Sequence, residues 1–173
     1  MAVSKMPVTS SDHIQGDAHA PITLVEYGDY ECPYCAAAHP HVKLVRNRYG
    51  RQLRFVFRHF PLTEIHPNAQ SAAESAEFAG AHGRFWEMHD LLFENHERLG
   101  IEFLFAAVRS LGLSETELRD ALAKGTYTPK VRDDFLGGVR HGVNGTPAFF
   151  INNRRHDGAF DFPNLAAAID SQL

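Results

Sequence analysis

Cys32 and Cys35 are the two cysteines of this 173-residue chain, and they stand close together in the stretch YECPYCAAAH (30–39). A disulfide between them would close a loop of four residues and stabilise the fold by only about 2 kcal/mol. Structural cross-linking is therefore a weak reason for the spacing. Two thiols at this distance can instead form a reversible disulfide and exchange it with other thiols.

The elements expected around the pair favour a reactive first thiol. The apolar run PITLVEYGD (21–29) predicts a strand, and Pro33 suits the first position of a helix that follows over 33–49. Cys32 then caps this helix, where unpaired N–H groups and the helix dipole favour a thiolate. Cys35 lies one turn further on and is more sheltered. We predict that Cys32 is the exposed, attacking thiol and that Cys35 resolves the mixed disulfide.

Glu26 is the candidate acid of the site. It interrupts the apolar strand six residues before Cys32. A poorly solvated carboxyl there would have a raised pKa and could exchange protons with Cys35. A glutamate that reaches solvent at the end of the strand is the alternative.

Polar and aromatic residues flank the cysteines. Tyr30 and Tyr34 are expected at an exposed rim, in contact with substrate. Asp29 and Glu31 place negative charge beside Cys32, and we expect them to raise the pKa of its thiol, against the effect of the helix.

Thr146-Pro147 opens a late strand, TPAFFINN (146–153). Proline has no N–H to donate to a sheet, so it marks the start of this strand. From the residues alone the Thr146–Pro147 peptide bond is expected to be trans, since few X–Pro bonds in folded proteins are cis.

Metal binding and an inert buried cysteine pair are the alternatives to redox chemistry. A C-x-x-C pair can be half of a zinc site, and the chain has no second such pair. His39 lies four residues after Cys35 and His41 is near, so a site of two cysteines with one or two histidines stays open. Other histidines, which we expect to pack or cap rather than bind metal, are two turns apart: His82, His89 and His96.

Composition excludes several other classes of function. The chain is 44% hydrophobic and 22% charged, with a formal net charge of −4 and no cluster of basic residues, so nucleic acid is not an expected partner. No apolar run approaches the roughly 20 residues of a membrane span.

The first 17 residues contain no apolar segment typical of a secretory signal, which predicts a cytoplasmic protein, although a chain with its leader removed would look similar. We expect a monomer.

The order of predicted elements indicates an α/β fold. A short strand near 13–15 and the strand over 21–29 precede the helix over 33–49 and a strand over 53–60. About 75 helical residues follow, with a capping box from Ser114 to Glu117 and a helix end at Gly125. The chain closes with the strand at 146–153, a hairpin turn at Asn152-Asn153, and a helix capped by Asp161.

Three stretches together resemble a DsbA-like thiol:disulfide oxidoreductase of the thioredoxin superfamily: LVEYGDYECPYC, HPNAQSAAESAEFAGAHGRFWEMHDLLF and GVNGTPAFFINNRRHDG. The similarity runs from about Asp12 to the last helix. It implies a thioredoxin fold made of residues 1–62 and 140–173, with an inserted all-helical domain over 63–139.

The resemblance also implies roles for individual residues. Cys32 is the nucleophile, Cys35 the resolving thiol and Glu26 the buried acid beside it. Pro147 matches the family's cis-proline, and the backbone of Thr146 would pair with a substrate peptide. Such proteins act on protein thiols and disulfides, bind extended polypeptide beside the motif, and use neither a metal nor an organic cofactor.

One departure from the family concerns the dipeptide between the cysteines. Pro33-Tyr34 stands where the periplasmic oxidant of the family has Pro-His, and Pro-Tyr is typical of the shorter glutaredoxins. Glutathione is therefore a further candidate partner, and a glutathione-coupled disulfide reductase is one alternative function. A non-catalytic redox sensor or peptide-binding module is another. The direction of electron flow, the natural substrate and the recycling partner stay open.

Overall fold

The computed structural model of the chain describes residues 6–173. Its strands and helices follow the predicted order, with a short 3-10 turn at Gly50–Gln52. In chain order they are β1 (His13–Gly16), β2 (Ile22–Gly28), α1 (Pro33–Tyr49), β3 (Leu53–His59), α2 (Ala69–Ala81), α3 (Phe85–Glu94), α4 (Ile101–Ser110), α5 (Glu115–Lys124), α6 (Thr128–Arg140), β4 (Ala148–Ile151), β5 (Arg154–His156) and α7 (Phe162–Asp170).

The five strands form one sheet in the order β1-β3-β2-β4-β5. Strands β2 and β3 are parallel, and the other neighbouring pairs are antiparallel. The connection between the parallel strands runs through α1, as a crossover requires. Glu26 lies on the central strand β2, opposite Phe57 of β3 and Phe149 of β4. The Glu26 carboxyl therefore lies in the middle of the sheet, between apolar residues of both neighbouring strands.

Apolar side chains cover both faces of the sheet. Because side chains alternate along a strand, Leu24 and Phe57 pack on the face that carries α1, whereas Val25 and Phe150 pack on the other face. A strand that is covered on both faces has a nearly continuous run of apolar residues in its sequence. Each large side chain buried in this way stabilises the fold by about 1.5–3 kcal/mol.

The segment between β3 and β4 consists of the five helices α2–α6, in agreement with the helical block read from the sequence. Phe85 and Met88 of α3 are buried in the core, whereas Leu44 of α1 and Ile101 of α4 are exposed, at 50% and 45%. None of the helices within residues 6–173 is long and apolar enough to cross a membrane.

The residues that were predicted to cap helices and to form the hairpin turn do so in the structure. The side chain of Ser114 accepts a hydrogen bond from the N–H of Glu117, and Gly125 ends the same helix in the left-handed conformation with φ 64°. Asp161 caps α7 by accepting from the N–H of Asn164. Asn152 and Asn153, at φ 47° and 68°, form the turn between β4 and β5.

Candidate active site

Both cysteines lie at the start of α1. Cys32 is the N-cap residue in an extended conformation, with Pro33 in the first turn, as predicted. Both thiols are free. Cys35 is fully buried, and Cys32 is only 3% exposed, which corrects the expectation of an exposed first thiol. The loop before β4 covers it, since the carbonyl oxygen of Thr146 lies 3.7 Å from the Cys32 sulfur.

The two thiols have opposite acidities. The pKa of Cys32 is lowered to about 5, chiefly by a hydrogen bond with Cys35. Thr146 and the backbone N–H groups of Tyr34 and Cys35 lower it further, against the opposing effect of burial. Burial raises the pKa of Cys35 well above its ordinary value, and its hydrogen bond to Cys32 and the charge of Glu26 act in the same direction. At neutral pH the pair therefore consists of a thiolate at Cys32 and a protonated thiol at Cys35.

Glu26 is buried, with 1% of its surface exposed. Burial, and then the charge of Cys32, raises the pKa of Glu26 to about 8. Within residues 6–173 its Oε1 atom has no hydrogen-bond partner. The alternative of a glutamate that reaches solvent is therefore wrong. Because its pKa lies above 7, the carboxyl is mostly protonated at neutral pH and can donate a proton.

The Thr146–Pro147 peptide bond is cis, so the expectation of a trans bond from the residues alone is wrong. The Thr146 carbonyl contacts the Cys32 sulfur, which places this loop directly against the reactive atom. Within residues 6–173 the N–H of Thr146 donates no hydrogen bond, and Thr146 is partly exposed.

The two acidic residues beside Cys32 are not among the largest influences on its pKa, which is lowered overall despite their negative charge. Asp29 is buried and accepts hydrogen bonds from Nδ1 of His66 at 2.8 Å and from the N–H of Glu31 at 2.7 Å. The Glu31 carboxylate accepts from the backbone and side-chain nitrogens of Asn68, at 2.9 and 2.7 Å. Both carboxylates thus accept hydrogen bonds from residues in the loop before α2. These bonds attach that loop to the segment that contains the cysteines.

Tyr30 was expected at the rim and is instead buried, at 1% exposure, which rules it out as an exposed contact surface. Its hydroxyl is hydrogen bonded to Nδ1 of His89 at 2.8 Å, and its ring stacks on Phe57. Burial lowers the pKa of His89 well below its ordinary value. Tyr34 is 66% exposed, so it is the tyrosine at the rim of the motif.

Sequence reasoning missed a hydrogen-bonded cluster that joins the sheet to the helices. Oε2 of Glu77 on α2 accepts hydrogen bonds from Nε2 of His13 at 2.6 Å and of His59 at 2.8 Å. These contacts lower the pKa of Glu77 far below its ordinary range, although burial acts in the opposite direction. The three residues are 18 and 64 positions apart along the chain, so no local pattern could reveal the cluster.

In the part of the chain that the structure describes, the cysteines do not belong to a group of side chains with metal-binding spacing. Within residues 6–173 the residues whose ligand atoms come close enough to share an ion are His39, His89 and Asp90. The zinc alternative built on Cys32 and Cys35 therefore gains no support from the positions of the side chains around them.

The chain belongs to the Thioredoxin family, whose sequence profile matches residues 8–171. Among curated proteins, the chain is 44% identical over 160 residues to the Na(+)/H(+) antiporter NhaA 1 of Salinispora arenicola and 35% identical over 160 residues to the Na(+)/H(+) antiporter NhaA of Herminiimonas arsenicoxydans. These matches cover 92% of this chain but 24% and 25% of the antiporters. The chain thus spans about a quarter of the length of these relatives, and their names describe much longer proteins.

Solved structures confirm that the fold is that of DsbA-like proteins. Oxidised BdbD from Bacillus subtilis matches with a TM-score of 0.87 at 22% identity, covering 98% of this chain and 97% of BdbD. Alpha-DsbA1 from Wolbachia pipientis matches with a TM-score of 0.84 at 20% identity, covering 96% and 92% of the two chains. A thioredoxin-like oxidoreductase from Silicibacter pomeroyi gives 0.83 at 23% identity over 94% and 92%.

Proposed function

We propose that this protein exchanges disulfides with protein substrates through Cys32 and Cys35. The observation that carries the proposal is the opposite acidity of the two thiols. Cys32 has a pKa of about 5, whereas the pKa of the buried Cys35 is raised well above its ordinary value. Disulfide exchange needs this asymmetry, because the thiolate is the nucleophile and the second thiol must wait until the mixed disulfide has formed.

In the reducing direction, the Cys32 thiolate attacks one sulfur of a substrate disulfide. A bond forms between Cys32 and that sulfur, and the other substrate sulfur leaves as a thiolate. Cys35 then loses its proton and attacks the Cys32 sulfur, which releases the second substrate thiolate and leaves a Cys32–Cys35 disulfide. The substrate has gained two electrons and the protein has lost two. The same steps in reverse oxidise a substrate dithiol.

Glu26 is the proposed proton acceptor and donor for Cys35. Its pKa of about 8 lies close to neutral pH, so its carboxyl can both accept and donate a proton under these conditions. Glu26 raises the pKa of Cys35 through its charge, which supports a location near that sulfur. We assign Glu26 a role in the second step rather than in the first attack.

The loop at Thr146–Pro147 is the proposed docking position for an extended substrate segment. The N–H of Thr146 has no partner within the described residues and its carbonyl lies beside the Cys32 sulfur. Backbone pairing at this position would hold a substrate disulfide next to the nucleophile without reading the substrate sequence. Tyr34, which is exposed between the two cysteines, is the proposed side-chain contact.

Trapping of the mixed disulfide tests the proposed function. With Cys35 replaced by alanine (Cys35→Ala), the first step proceeds and the second cannot, so we expect covalent complexes between Cys32 and a disulfide-bonded protein such as insulin. Reducing agent should release them, and the matched control Cys32→Ser/Cys35→Ala should form none. Adducts with glutathione but never with a protein disulfide would favour the glutathione-coupled reductase. Absence of any adduct would contradict disulfide exchange and favour a sensor or peptide-binding module.

A further inference from the structure

We propose that His39, His89 and Asp90 form a binding site for one divalent transition-metal ion of the zinc type, between α1 and α3. One potential ligand atom from each residue lies within 4.8 Å of the other two. His39 comes from α1, and the two other residues are neighbours on α3. The site is separate from the disulfide chemistry, since it contains neither cysteine, and it does not depend on the proposed function.

The donor set suits an ion of this type. Imidazole nitrogens bind Zn²⁺, Cu²⁺ and Ni²⁺ well, and two histidines with one carboxylate are a known three-ligand set for zinc, which leaves a fourth position for water. A set of oxygen atoms, as Ca²⁺ and Mg²⁺ prefer, is missing from the group.

His39 carries the clearest sign that a ligand belongs here. The residue is more than nine-tenths buried, and its Nε2 atom has no hydrogen-bond partner within residues 6–173. That atom lies 3.2 Å from Oδ1 of Asp90, within the distance of an ion pair but without hydrogen-bond geometry. A buried nitrogen left without a hydrogen bond is costly. An ion held by both atoms would satisfy the nitrogen and the carboxylate together.

His89 is held in position by its surroundings. The hydroxyl of Tyr30 bonds to Nδ1 at 2.8 Å, which leaves Nε2 as the ring nitrogen without a described partner. A metal-binding histidine usually has its second nitrogen bonded in this way, because the bond fixes the orientation of the ring. Phe57 and Phe93 pack edge-on against the His89 ring, at centroid distances of 4.6 and 5.0 Å. These aromatic walls limit water on the inner side of the site.

The outer side of the site is open. The side chain of Asp90 is 42% exposed. His39 also lines a groove of about 450 Å³ between α1 and the end of α3, together with Lys43 and Phe93 among others. An ion can therefore enter. Lys43 places its ammonium group 3.5 Å from Oδ2 of Asp90, so its positive charge competes with a bound cation.

Zinc titration of the oxidised 173-residue protein tests the proposal. With Cys32 and Cys35 joined as a disulfide and the protein treated with chelator, calorimetry should detect one Zn²⁺ per chain. Asp90→Asn should weaken binding at least about tenfold, since it removes an anionic ligand. Lys43→Met should strengthen binding, because it removes the competing charge. The matched control His19→Ala, at an exposed histidine outside the group, should bind as the wild type does.

The two variants are expected to change the zinc affinity in opposite directions. Misfolding cannot explain both results, because a damaged fold cannot produce the tighter binding expected for Lys43→Met. Thermal unfolding of the oxidised wild type should also shift upward with zinc, since an ion that binds the folded state stabilises it. Less than one zinc per chain in the oxidised wild type would overturn the proposal. Equal affinity of the wild type and Asp90→Asn would overturn it as well.

Discussion

Replacement of Cys32 by serine (Cys32→Ser) is expected to slow the reduction of a protein disulfide on the order of 10³-fold or more. A serine hydroxyl does not attack a disulfide sulfur, and Cys35 cannot take over the first step. Cys35 is fully buried and its pKa is raised well above the ordinary value, so little thiolate forms there and substrate cannot reach it. Turnover of insulin disulfides with dithiothreitol as reductant measures the effect.

Alkylation at pH 6 provides the control for this substitution. Because the pKa of Cys32 is about 5, iodoacetamide should modify one sulfur of the reduced wild type at this pH. It should modify none in Cys32→Ser, while circular dichroism shows that the variant is folded. A variant that keeps a tenth of the wild-type rate would mean that Cys35 is the attacking thiol, and the assignment of the two cysteines would be reversed.

Replacement of Glu26 by leucine (Glu26→Leu) is expected to stabilise the reduced protein at pH 7 by about 3 kcal/mol. The pKa of Glu26 is raised from 4.5 to about 8 in the folded state. The unfolded chain therefore loses this proton at a lower pH than the folded chain, and the free energy of unfolding falls as pH rises from about 4.5 to about 8. Above that window the loss is complete, at about 5 kcal/mol.

Leucine fills a similar volume and does not ionise, so this pH-dependent loss is absent from the variant. Urea unfolding of the reduced proteins at pH 4.5, 7 and 8.5 should show a small stability difference at the lowest pH and a growing one above it. Glu97→Leu, at a side chain that is 84% exposed, is the matched control and should show no such trend. A difference that does not change with pH would contradict the raised pKa. We also expect slower release of substrate from Glu26→Leu, because Cys35 loses its proton acceptor.

The fold and the two cysteines could be predicted because their signals are local. Pro33 one residue after Cys32 marks the start of a helix after a strand, and the helix ends at Tyr49 as the apolar pattern indicated. The capping residues Ser114 and Asp161 act within four residues of their own position. The position of Glu26 within an apolar strand also suggested a poorly solvated carboxyl. Each of these inferences needed only a short stretch of chain.

The errors concern contacts that form between distant segments. Tyr30 is buried because α3 brings His89, 59 residues away, over the motif. The carboxylate of Asp29 is hydrogen bonded to His66, which lies 37 residues further along the chain. The Thr146 loop covers Cys32 across 114 residues. Local sequence gives the type of these side chains but not their partners, and partners decide burial and pKa.

The domain boundaries at 62/63 and 139/140, the cytoplasmic location and the monomeric state stay predictions. The direction of electron flow stays open. The low pKa of Cys32 bears on that direction, since a stabilised thiolate favours the reduced dithiol and makes the disulfide form more oxidising. Tyr34 brings no positive charge to the site, in contrast to the histidine of the family's periplasmic oxidant.

The reduction potential of the Cys32–Cys35 pair tests the central claim most directly. Equilibration with glutathione redox buffers, followed by alkylation and mass measurement, gives the fraction of disulfide at each ratio. We predict one reversible two-electron transition between about −270 mV, the value of thioredoxin, and about −120 mV, that of the strong oxidant DsbA. No transition across the accessible buffers, with both thiols still present and the protein folded, would mean that the pair does not exchange disulfides, and the proposed function would be wrong.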